Sequence, residues 1–522
     1  MAGDMVMAVR WSMVAAVVCS LASLAQADEG PAKPADKKGP PFTISKETTY
    51  ITEPLKENGF PDYAAALDQR LSQGVTPENN AFVAILKILG PAEIGEKVRP
   101  TLYRKLGIAP LPADGKYFVG SGDFEKSLTK EEDREAFRSQ FDRVMQEPWS
   151  DADSPFVAKW LAANEKSLAE LPGALDRPKY YAPLLLQDSN EALIAALLPY
   201  LSPVRDLSRA VVMRGMRHIQ TGNPEKALAD SMLIHRLARH SANGGFLIDY
   251  LVGVAIEGMA AKLDATIAHR GKLSAKQARA FAAELAKLPS LPLCAEKLEA
   301  ERFMFLDAVS LLVRTGPRGL QTLGAMTERE SPTNAAIDQL FRQSIDWDVA
   351  LKLGNEAYDK FIAGAQLKDW DARRKGASKL FEDYEKQLQS DLHDPIDWLA
   401  AALDAKVRAR KAGRFMGHTM VMLLLPALEA VFGAEERELV KRDLVQISFA
   451  LAAYRAEEGK YPAELASLVP KYLEKLPLDR STGKDYRIRY ADGGYVLYGL
   501  GGNLKDDGGN VESSEDYLLE VK

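Results

Sequence analysis

Six histidines are the first residues to test for chemistry: His218, His235, His240, His269, His393 and His418. None stands in an HExxH or HxH spacing, so no two imidazoles share a turn on which a metal could be held. His235 and His240 are five apart, which places them on different faces of a helix. Each is expected to be a packed histidine. There is no GxSxG elbow and no P-loop, and Gly120-Ser121-Gly122 is too short for a phosphate loop. The carboxylate pairs Asp151/Asp153 and Glu457/Glu458 lie in charged stretches and read as solvated surface. Tyr180-Tyr181, flanked by prolines, reads as a packed loop, and Cys294, in LPLCAEKL without a neighbouring histidine, as a small buried hydrophobe. No catalytic constellation names a reaction.

The elements that must position these residues are mostly helices. From about Pro203 to Arg314, apolar residues recur at three- and four-residue spacing in VRDLSRAVVMRGMRHI, EKALADSMLIHRLARH and GFLIDYLVGVAIEGMAAKL, with Gly-Asn-Pro at 222–224 parting the first two. Gly215 and Ala227 sit where the paired helices of a tetratricopeptide repeat touch. No recurrence near 34 residues follows, so this repeat-like pair is expected to be an ordinary antiparallel hairpin. Upstream, one helix is expected to end near Gly74 and another to start at Thr76, with Thr76 as N-cap, Pro77 at the first position and Glu78 in the first turn. Asn79 and Asn80 read as capping and packing. Asp346, Asp369 and Asp397 each precede a tryptophan at a helix start, where a cap is expected.

With 522 residues, 46% apolar and 27% charged, the chain can bury at least two cores. A net charge of −6, with both signs interspersed, offers no basic face to nucleic acid or an anionic membrane. Residues 1–27 combine Arg10, the apolar run from Trp11 to Leu24 and Ala25-Gln26-Ala27, the pattern of a cleavable signal peptide. The expected mature protein is exported, periplasmic or secreted, and begins at Asp28. Cleavage removes Cys19 and leaves Cys294 without a disulfide partner. Residues 28–45, rich in Pro, Lys and Asp, read as a flexible linker.

The stretch from MLLLPALEAVFGAEERELVKRDLVQISFALAAYRAEEGKYP through LPLDRSTGKDYRIRYADGGYVLYGLGGNLKDDGG resembles the globular part of the major pseudopilin of type II secretion systems. The resemblance covers about Met420 to Asn510 and rests on the order of its elements: LLLPAL, a long helix ending at Gly459-Lys460-Tyr461-Pro462, the Leu476–Asp479 turn, a Tyr-rich hairpin and an Asp-Asp loop. ETTYITEPL, GVTPENNA and DWDVALKLGNEAYD are similar to segments of exported proteins of the planctomycete type. The pseudopilin resemblance implies a calcium site at Asp506 and Asp507, with Asn503 where that family carries another acid, and an affinity of at most about 10⁻⁴ to 10⁻³ M. From the residues alone, the same loop reads as a solvent-exposed turn. Where a pseudopilin carries a basic leader and an apolar N-terminal helix, this sequence is expected to carry a cleavable signal and a large helical region. The run Phe415–Gly433 contains His418, Pro426 and Glu429, so it is expected to be a core helix against the upstream region rather than a membrane span. In DLVQISFALAAYRAEEG, Leu444, Ile447, Leu451 and Tyr454 form one stripe. RIRY and YVLY around Ala491–Gly494 read as a hairpin under it.

The expected architecture is mainly α: an all-α region over 46–412 and a small α+β pseudopilin-like module over 413–522, in which a long helix packs on a short antiparallel sheet. The expected function is that of an exported, non-enzymatic envelope protein, a helical scaffold for another envelope protein, with no transmembrane span in the mature chain. Two alternatives stand beside it. One is an exported hydrolase whose carboxylates converge only in the fold, which a deep polar cleft with perturbed carboxylates would favour; the other is an accessory part of a type II secretion-like system.

Overall fold

The computed structural model describes residues 39–188, 191–196, 198–319, 341, 344–393, 404–424, 428–491, 493–501, 503–509 and 517–521. The signal segment, Asp397 and Pro426 therefore lie outside the described residues. Short helices come first: α1 (Tyr63–Leu71), α2 (Ala81–Leu89), α3 (Arg99–Leu106), α4 (Ser121–Ser127), α5 (Glu131–Val144), α6 (Pro155–Ala163) and α7 (Glu165–Leu175). Long helices follow: α8 (Leu201–Gln220), α9 (Pro224–Ala242), α10 (Leu247–Arg270), α11 (Ala275–Lys287), α12 (Cys294–Thr315), α13 (Trp347–Ala365), α14 (Trp370–His393), α15 (Ala405–Leu424) and α16 (Leu428–Glu458). The chain ends in a three-stranded antiparallel sheet, β1 (Arg487–Ala491), β2 (Gly494–Gly499) and β3 (Tyr517–Val521), in that order. The protein is mainly helical, as expected. No helix among the described residues is long and apolar enough to cross a membrane.

Side-chain caps fix some of the boundaries. Asp346 accepts from Val349 N at 3.3 Å and Asp369 from Ala372 N at 2.8 Å. The cap of α2 is not Thr76 but Asn80, whose Oδ1 accepts from Phe82 N while its amide donates to Tyr181 O. Thr76 and Asn79 close a separate turn by bonding each other's backbone amides. Asn80 wins because its second bond also fixes a distant strand-like segment. Phe42, inside the stretch expected as linker, is buried edge-on to Phe60, and Thr43 bonds Asp348, so packing begins before Ser45. Within the Phe415–Gly433 run, the described residues belong to α15, up to Leu424, and to α16, from Leu428.

Among the described residues two large apolar cores form, beside a smaller one around Phe82, Leu102 and Tyr181. One gathers α5–α11, the C-terminal half of α16 and the sheet, through residues such as Trp160, Met213, Ile256, Leu263, Leu444, Leu451, Tyr495 and Leu497. The other gathers Phe42, Phe60, α12–α15 and the first turns of α16 through Leu428, Val431 and Phe432. Leu444, Ile447 and Leu451 are fully buried, as their spacing requires, and Gly459, at φ 74°, ends the helix in the left-handed region. The register pairs Ala491 with Gly494, a two-residue turn made possible by Gly493 at φ 77°. Strand β3 was not expected from its sequence; it pairs Leu497 with Leu519 and completes the face that α16 covers.

Candidate functional site: a charged cleft between α9, α10 and α16

His235 is buried on α9 between two carboxylates of α10. Its Nδ1 lies 2.9 Å from Glu257 Oε1 and its Nε2 2.8 Å from Asp264 Oδ2. Ionised carboxylates only accept hydrogen bonds, so both ring nitrogens donate and the ring is an imidazolium. Burial opposes that charge, but the two anions outweigh it and raise the His235 pKa to about 10. Arg239, one turn along α9, donates to Glu257 Oε2 at 2.9 Å and to Pro289 O at 2.7 Å, and Ser231 Oγ donates to Asp264 Oδ1. Burial raises the Glu257 pKa and the His235 and Arg239 charges lower it further, to about 2. His235 and Arg239 balance Glu257 and Asp264. An imidazolium with both N–H groups committed has no lone pair for a base or a metal.

This neutral cluster forms part of the lining of a cleft of about 440 Å³. Ala255, Gly258 and Ala261 on α10 and Ala434 on α16 line it, and side chains this small leave the space open. The charged residues of α16 that line it recur at helical spacing: Arg437, Glu438, Lys441 and Arg442. Glu438 is buried, its Oε1 has no hydrogen-bond partner among the described residues, and burial together with the nearby Glu257 charge pushes its pKa up to about 8. It is a carboxylic acid at neutral pH. Lys262 and Lys441 are half-buried, and neither makes an ion pair among the described residues; Glu520 tempers the charge of Lys262. Burial, then repulsion from Arg437 and Lys262, lowers the Lys441 pKa. The cleft holds more cation than its own carboxylates cancel.

Apart from His235, the residues singled out from sequence lie outside this cleft. Asp506 Oδ2 meets Arg487 Nε at 3.0 Å and its Oδ1 accepts from Gly508 N at 3.0 Å, while Asn503 Nδ2 donates to Asp507 Oδ2 at 3.2 Å. The loop is a hydrogen-bonded turn, and a calcium ion there would have to draw Asp506 from Arg487. Among the described residues no group of three or more His, Cys, Asp or Glu side chains is placed to hold a metal ion. Ser121 N and Oγ both donate to Asp206, which occupies the N-terminus of α4. Tyr180 stacks on His240 in a packed loop. Cys294 is buried but is more than a hydrophobe: its amide and thiol both bond Glu435, which Arg373 meets at 2.6 Å. His418 Nδ1 bonds Asp391 at 2.6 Å within the second core.

The cleft residues were missed because their partners come from other helices. A signal existed: Ser231, His235, Glu257, Asp264 and Glu438 all occupy positions on apolar stripes, where a polar residue needs a partner. Comparison with known proteins finds no match among family models, curated sequences or solved structures.

Proposed function

We propose that the chain is an exported envelope protein that binds a small anion in the cleft between α9, α10 and α16, with the helical region as scaffold and the long helix of the pseudopilin-like module as one wall. Export rests on the pattern of residues 1–27, and a role beside a secretion system rests on the resemblance alone. The observation that carries the binding reading is the pair of half-buried lysines, Lys262 and Lys441, without ion-pair partners among the described residues, beside the protonated Glu438. Half-buried charge of one sign is costly, and an incoming anion relieves it. The hydrolase reading draws support from the opposed carboxylates, Glu257 held ionised and Glu438 held neutral. Both oxygens of Glu257 are already spent on His235 and Arg239, which leaves that pair no free nucleophile or base. Binding therefore accounts for more of the geometry than turnover does.

The test is thermal melting of the mature chain with short carboxylates and phosphate esters. Millimolar anion is expected to raise the melting temperature, because a ligand of the folded state stabilises it. The rise should vanish in a Lys262→Gln, Lys441→Gln double variant that still melts cooperatively. A melting curve indifferent to every anion sinks the proposal.

A further inference from the structure

The polar groups occupy only part of this cleft. Its remaining lining is apolar: Val212, Leu251, Val254, Met259, Leu285 and Val445, drawn from α8, α10, α11 and α16. An inorganic anion would be held by the lysines and leave those side chains facing water. A purely apolar guest would leave Lys441 and the Oε1 of Glu438 without partners in a drying pocket, at a cost comparable to lost hydrogen bonds. Only a ligand with both characters satisfies the whole lining. The volume, about 440 Å³, lies toward the lower end of the range of about 300–1,000 Å³ for small-molecule pockets. We infer that the cleft takes a single-headed amphiphilic anion, a carboxylate or phosphate monoester bearing one medium-length alkyl chain. This rests on the anion-binding reading above.

The head group would be neutralised by Lys441 and Lys262, with Arg437 at the exposed margin, and would accept a hydrogen bond from the Glu438 carboxyl. Its chain would run over the apolar lining. Gly258 is the gauge of that space: a Cβ built there meets only Lys441 Nζ, at 3.5 Å. A large side chain at that position would occupy the cleft without removing any charge.

Calorimetric titration of the full mature chain decides it, with acetate, inorganic phosphate, decanoate, decyl phosphate and decyltrimethylammonium as probes below their micellar concentrations. Decanoate or decyl phosphate should bind at least about tenfold tighter than acetate or inorganic phosphate, since a few buried methylenes supply that factor. Preference between the two alkyl probes assigns a carboxylate or a phosphate head, and either supports the inference. Gly258→Leu should weaken the better probe at least tenfold while the circular dichroism and melting temperature hold; if that variant fails to fold, Val254→Trp serves the same purpose. Equal affinity for acetate and decanoate overturns the inference and leaves the anion reading standing. Binding of the alkylammonium alone, or of no probe, overturns both. Decanoate affinity untouched by a folded Gly258→Leu protein places the ligand elsewhere and overturns the inference.

Discussion

At the scale of single residues, His235 shows what a buried charge does when its counter-charges are built in. Its partners are 22 and 29 positions away on another helix, so its own sequence neighbourhood could not reveal them. By contrast, caps such as Asp346 and Asp369 act within three residues and were legible directly. Asn80 falls between: capping was foreseen for it, but the cap of α2 was assigned to Thr76, because the deciding bond to Tyr181 is remote. The imidazolium makes a pH prediction. A histidine raised from about 6.5 to about 10 on folding contributes stability that is fully present below pH 6.5 and lost as pH rises through 10. Removing one member of a buried ionic cluster costs about 3–5 kcal/mol. In urea unfolding, His235→Gln should therefore lie far below wild type at pH 6 and approach it near pH 10. A gap of equal size at both pH values would mean that the ring is not charged in the folded state.

At the scale of elements, periodicity and punctuation carried far. The three helices α8–α10 follow the apolar spacing, the Gly-Asn-Pro break is where it was read, and the β1–β2 hairpin turns at Gly493. Strand β3 escaped because YLLEV is too short to separate from a helical turn by pattern; only its pairing with β2 makes it a strand. Helix packing adds a distinction that spacing does not carry. At Gly253 a Cβ would stand 2.6 Å from Ala242 Cβ and 2.7 Å from Ala238 O, so α9 and α10 touch there through backbone. At Gly258, five residues on, the nearest atom is the end of a lysine. Alanine at the two positions should act with opposite sign: Gly253→Ala should destabilise by about 1–3 kcal/mol through overpacking, and Gly258→Ala should stabilise by up to about 1 kcal/mol through helix propensity. Chemical denaturation of the two variants checks it, and a loss at Gly258 as large as that at Gly253 would contradict the packing described.

At the scale of the whole molecule, the mainly helical class, the helix-on-sheet ending and the packing of the Phe415–Gly433 stretch on the upstream region were legible, whereas the sheet's share in an upstream core was not, because it depends on which faces meet. Tyr495, Leu497 and Leu519 of the sheet join the core that α10 supplies, and α15 buries Phe415, Met416 and Met420 with α12–α14. A C-terminal fragment therefore leaves the inner side of its sheet and helix uncovered. Starting such a fragment at Arg414 rather than Glu435 adds the second half of α15, whose apolar face needs α13 rather than the sheet. Neither fragment should show the sharp thermal transition of the full chain, followed by circular dichroism. A cooperative melt from either one would show that the ending stands alone.

Helix α16 belongs to both cores at once: Phe432 lies in the second and Val440 in the first, with the buried acids Glu435, Glu436 and Glu438 between them. Its 31 residues make a rod about 46 Å long. Each residue added to a helix turns everything beyond it by about 100°. One insertion between Phe432 and Val440 would swing Leu444, Ile447 and Leu451 away from the sheet and rotate Lys441 out of the cleft, even though no contact there had itself been altered. The two halves are thus phased like teeth on a shaft, and this protein can change length at its turns but not along that span.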